Sequence, residues 1–161
     1  MTTFQLQIPP ETRRKGRQAG YMIAIVVNLV MLVVAQNILE WGWAPFLTAD
    51  FAAILPWVSF SLTASMAMNA IYLLDDRPDV KSLGQMTLNL ISLVATYRIW
   101  QVFPFDFSAY DFNWDLLAHV ILILAMVGSG VGLVAETLKL ANRHLGTRTL
   151  DREEKADDNR S

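Results

Sequence analysis

The chain has 161 residues, 53% of them apolar and only 17% charged, and its mean hydropathy is +0.33. A soluble domain of this size cannot bury so much apolar surface, and four membrane spans of about 20 residues with two short tails fill the length, which excludes a large folded soluble domain. The lack of cysteine excludes disulfides, thiolate metal sites and a cysteine nucleophile.

Residues 1–17 are polar, contain Pro9-Pro10 and end in the basic run Arg13, Arg14, Lys15 and Arg17, which reads as a cytoplasmic basic arm. A charge-free stretch, 18–39, is long enough to cross the hydrocarbon as a helix. Span two is the charge-free run 51–74, ended by Asp75-Asp76-Arg77-Pro78-Asp79, a composition that suits a solvated turn. Span three covers 82–104 and is interrupted by Arg98; span four covers 114–140 and frays near Gly146, which is placed for a left-handed cap. The spans make up a transmembrane domain, 18–141, and the charged tail 142–161 is expected to be disordered.

Of the 13 Lys and Arg residues, four precede span one, two lie at 75–83, six follow from Lys139 onward, and the last is Arg98. Basic residues near span ends are retained in the cytoplasm, so both termini are expected there, in a multi-pass protein of the cell membrane. Trp41, Trp43, Trp100 and Trp114, with Phe103, Phe105, Phe107 and Tyr110, form an aromatic belt at the outer ends. A cleaved signal peptide ending at Val33-Val34-Ala35 competes for the start. Against it stands an internal repeat: a shift of 61 residues superimposes Asn28-Leu29 on Asn89-Leu90, Leu32-Val33 on Leu93-Val94, Ile38 on Ile99, Phe46 on Phe107 and Asp50-Phe51 on Asp111-Phe112, without a gap. The expected fold is all-α, with four transmembrane helices arranged as two similar hairpins in a parallel pseudo-twofold repeat.

Polar groups in hydrocarbon are costly unless paired. Asn28 and Asn89 occupy equivalent positions, and their amides meeting across the pseudo-twofold axis would act as packing glue. On span two, Ser61, Ser65, Asn69 and Tyr72 share one helical face as a polar stripe. On span four, Gly128 and Gly132 form a Gly-xxx-Gly pair for close approach of another helix. Near the outer surface, Arg98 and His119 come to one depth with Gln36, Asn37, Glu40 and Gln101, and Asp115 lies one turn before His119, placed to hold its imidazole. That set reads as an ion-paired plug, with Glu40 the first-choice partner of Arg98 and Asp106 the second, or as an anion-binding or proton-relay pocket.

Other signatures are weak or missing. Asp75-Asp76-Arg77-Pro78-Asp79 matches the Asp-Asp-x-x-Asp pattern of magnesium-holding isoprenoid enzymes, but no second aspartate-rich motif accompanies it and Pro78 interrupts the helix such a site needs. The run Gly128-Ser129-Gly130-Val131-Gly132 lacks the strand and helix start of a phosphate loop. No zinc-protease, serine-hydrolase or Walker motif occurs, and His144 lies on the wrong side of span four to share a haem with His119. No cofactor, metal or nucleic-acid partner is expected; the expected partners are the bilayer and other membrane helices. The composition therefore points to an accessory, scaffold or assembly subunit of a membrane complex, with a small channel or transporter as the alternative.

Overall fold

The structure, a computed structural model, describes residues 10–158, with side chains from Arg14 to Arg143. Residues 1–9 of the expected arm and the Asn159-Arg160-Ser161 run lie outside them. The chain forms four helices, α1 (Pro10–Trp41), α2 (Phe51–Leu74), α3 (Pro78–Val102) and α4 (Trp114–Asp158).

Both basic ends are more helical than the composition suggests. Pro10 opens α1, where its missing N–H is no loss, so Arg13, Arg14, Lys15 and Arg17 ride on the helix rather than on a loose arm. Pro78 likewise starts α3 rather than breaking a helix: Arg77 before it is extended (φ −64°, ψ 142°), as the proline ring requires, and Asp79 sits in the first turn where the helix dipole favours an acid. At the other end α4 passes through Gly146 without a cap and runs on to Asp158. A single helical glycine costs only about 1 kcal/mol, and the Leu, Arg, Glu, Lys and Ala beyond it are good helix formers.

The outer ends of α1 and α3 finish in the same way. Gly42 is left-handed (φ 64°) and its N–H donates to the Ile38 carbonyl at 3.2 Å. Phe103 is also left-handed (φ 40°) and its N–H donates to the Ile99 carbonyl at 2.8 Å. Glycine takes this conformation freely, whereas for phenylalanine it costs about 1–2 kcal/mol. Ring contacts hold Phe103 there, with Phe105 at 5.4 Å and His119 at 4.1 Å. The two outer loops are tied by the Thr48 N–H to the Pro104 carbonyl (3.0 Å) and the Asp106 N–H to the Phe46 carbonyl (2.7 Å). Phe46 stacks on Phe107 at 5.5 Å between them.

Among the described residues α1 packs on α2, α2 on α3 and α3 on α4, and α1 meets α3 at one end, where the Lys81 ammonium lies 5.4 Å from the centre of the Tyr21 ring. The helices thus stand in an open row. Few side chains are buried: Ile54 and Pro104 near the outer end, Ala95 and Thr96 on α3, Tyr72 and Ser82 near the inner end. Gly84 is needed for the last of these contacts, because a Cβ there would fall onto the Tyr72 hydroxyl. The outward surface is instead apolar, with Met22 and Val26 on α1 and Leu124, Val131 and Val134 on α4 all more than half exposed. In water so broad an apolar surface is untenable; in hydrocarbon it is matched.

Three helical segments are long and apolar enough to cross a membrane: Arg14–Trp41, Phe51–Leu74 and Trp114–Arg143. The expected third span is less apolar, because α3 carries Lys81, Gln85, Asn89, Arg98 and Gln101.

Candidate functional site

At the outer end the row of helices decides which polar groups meet. Arg98 on α3 donates from Nη1 to Gln101 Oε1 at 3.2 Å, and its guanidinium lies 5.0 Å from the centre of the Trp57 ring on α2. Gln101 in turn donates to the Tyr97 hydroxyl at 3.1 Å. The expected partner Glu40 is not used, and no salt bridge among the described residues involves Arg98. The reason is topological: α2 stands between α1 and α3, so the α1 residues Gln36, Asn37 and Glu40 are a helix away. Asn37 donates to the Val33 carbonyl of its own helix at 2.8 Å, and Gln36 and Glu40 are exposed. An amide dipole and an aromatic face therefore compensate the arginine, at about 0.5–1 kcal/mol for the ring contact.

His119 is held by a different atom from the one expected. Its Nδ1 lies 2.7 Å from the Asp115 backbone carbonyl, which can only accept, so Nδ1 donates to it. The imidazole stacks on Phe103 at 4.1 Å and meets the Trp100 ring edge-on at 4.8 Å. This is an aromatic cradle, and Asp115, Arg98 and His119 do not converge on one cavity. Nearby, Asp106 accepts the Ser108 N–H at 3.0 Å, which holds its carboxyl below the usual carboxylate range.

The intramembrane polar residues bond mostly to their own helices. Ser61 donates to Val58 O (2.9 Å) and Asn69 to Ser65 O (2.8 Å), so these two members of the stripe on α2 bond within their own helix. Asn28 donates to Ala24 O at 2.7 Å, and α2, packed on both α1 and α3, stands between it and Asn89. Asn89 packs on Gly132 instead: a Cβ at Gly132 would lie 2.7 Å from the amide nitrogen. Only this half of the Gly-xxx-Gly pair serves the α3–α4 contact, since Gly128 has open space around its Cα.

The denser polar site lies at the opposite end of the row, around the short link between α2 and α3, where the sequence suggests only a solvated turn. Asp76, in the short link between α2 and α3, accepts from Arg17 Nε at 2.9 Å and Arg17 Nη2 at 2.8 Å. The same carboxylate accepts from the Tyr21 hydroxyl at 2.9 Å and is ion-paired with Lys81. One carboxylate thus joins α1 to α3 around the end of α2. The Lys81 ammonium, followed by the Tyr21 hydroxyl and the Arg17 charge, outweighs partial burial and holds its carboxyl down to about 2. Tyr72 closes the floor, with its ring 5.6 Å from that of Tyr21 and its hydroxyl donating to Lys81 O at 3.3 Å.

From α4, Lys139 pairs with Glu136 at 2.6 Å, and Arg143 reaches Asp79 at 2.9 Å. Asp75 is bound by its neighbour Arg77 at 2.6 Å, whose hydrogen bonds hold that carboxyl below its usual range. The three aspartates of the Asp-Asp-x-x-Asp pattern therefore serve four different cations, Arg77, Arg17 with Lys81, and Arg143, instead of converging on one metal. Arg17, Tyr21, Asp76, Lys81, Glu136, Lys139 and Arg143 line an open cleft of about 570 Å³. The available signal was the matching depth of Arg17, Tyr21 and Lys81 with Asp76. Comparison with protein-family models, with curated proteins and with solved structures finds no match to this chain.

Proposed function

We propose that this chain is an assembly subunit of the cell membrane: a multi-pass protein with four spans and both termini cytoplasmic, whose role is to pack against other membrane helices, copies of itself included. The observation that carries this reading is the open row. Among the described residues the end helices α1 and α4 each pack along one neighbour and expose large apolar side chains elsewhere, and Gly128 leaves part of α4 open to close approach.

Membrane placement of α3 is supported by its enclosure between α2 and α4, both apolar enough to cross. Of its polar residues, Asn89 packs on Gly132 of α4, and Arg98 is covered in part by the Trp57 ring of α2. The orientation is supported by the cations Arg17, Lys81, Lys139 and Arg143 gathering at one end and the tryptophan belt at the other. The two-hairpin repeat is supported by the paired helix ends: Gly42 to Ile38 and Phe103 to Ile99 are the same bond shifted by 61 residues. In such a repeat the α2–α3 contact has α4–α1 as its counterpart, a contact that a second copy can supply.

The test is the oligomeric state and partner content of the tagged full chain purified in mild detergent after cross-linking. A stable homo-oligomer, or reproducible co-purification of another membrane protein, is expected. A monodisperse single chain without partners, combined with solute flux in liposomes, would overturn assembly in favour of a channel or transporter.

A further inference from the structure

We propose that the inner cleft binds a phosphate-bearing anion, and that in the membrane this anion is the headgroup of an acidic phospholipid. Four cations from three helices, Arg17, Lys81, Lys139 and Arg143, line it against the two carboxylates Asp76 and Glu136. Among the described residues Asp79 answers Arg143 at the rim, and the single carboxylate of Asp76 answers both Arg17 and Lys81. The first turn of α3 also borders the cleft through Pro78, Lys81 and Ser82, which adds the positive end of a helix dipole. The volume, about 570 Å³, suits a small polar ligand.

Position selects among anions. The floor is formed by Tyr21 and Tyr72, where the apolar stretches of α1 and α2 end and headgroups lie. Basic pockets between helices on the cytoplasmic side are the usual receptors for acidic headgroups, and a guanidinium fork matches phosphate oxygens in pairs. This level in the bilayer rests on the membrane reading above; the excess of cations does not.

The experiment uses the purified full chain in neutral micelles doped with dioleoylphosphatidylglycerol, with dioleoylphosphatidylcholine, or with sodium phosphate alone, read by native mass spectrometry and by the unfolding midpoint. Retention of phosphatidylglycerol over phosphatidylcholine, with a raised midpoint, is expected. Arg17→Gln and Lys139→Gln should each weaken retention about fivefold, whereas Arg77→Gln, the same charge loss at a residue paired outside the cleft, should change it less than twofold. If Arg17→Gln fails to fold, Lys139→Gln, at an exposed side chain, carries the test. Equal retention of the two lipids, or equal losses in all three variants, would overturn the proposal. Equal stabilisation by sodium phosphate alone would uphold the anion site and assign it a soluble ligand. A chain that stays monodisperse without detergent would refute the membrane reading instead, which separates the two failures.

Discussion

Replacing Asp76 by asparagine tests whether one carboxylate ties the inner ends of the row. Its carboxyl is held at about 2 against an ordinary 3.8, a difference equivalent to about 2 kcal/mol of preference for the charged form. The side chain is 31% exposed, so screening reduces the usable part to about 1 kcal/mol. Because the folded value lies below the unfolded one, this contribution is fully present above pH 3.8 and is lost as pH falls toward 2. Thermal unfolding in neutral micelles, followed by tryptophan fluorescence from pH 2 to 6, should show Asp76→Asn less stable by about 1–2 kcal/mol at pH 6. The gap should narrow below pH 4. A gap that is absent at pH 6, or that persists unchanged to pH 2, would refute the argument that the charged carboxylate joins Arg17 and Lys81.

Gly132→Leu should destabilise the fold by about 2 kcal/mol or more, since it drives side-chain atoms into Asn89; Gly128→Leu, at an open position, should leave the monomer's unfolding midpoint unchanged while weakening association measured by cross-linking. Arg98→Ala should cost about 1 kcal/mol through loss of the Trp57 contact, and adding Glu40→Gln should restore none of it; recovery in the double variant would show that the two side chains are paired after all. Single cysteines placed at 43 and 111 should react with an impermeant thiol reagent on intact cells and those at 79 and 151 should not, the reverse pattern indicating inverted insertion.

Hydropathy and charge run along the chain, so the sequence alone determined the features that are read along the chain. Four helices, the bounds of α2, the start of α4 and the separation of an aromatic end from a cationic end were all legible in this way. Proline in the first helical turn explains why the starts of α1 and α3 were misplaced: the same residue that breaks a helix interior opens a helix. Which helix stands beside which was decided only by the tertiary structure. In a membrane protein the faces toward lipid and toward a neighbouring helix are both apolar, so periodicity does not reveal lateral order. Glu40 is matched to Arg98 by depth and by the repeat register, and α2 lies between them; Asp76 reads as a solvated turn residue until Arg17, Tyr21 and Lys81 are brought around it from two helices. Depth in the bilayer is a property of sequence position, whereas adjacency is a property of packing, and the polar chemistry of this protein depends on adjacency.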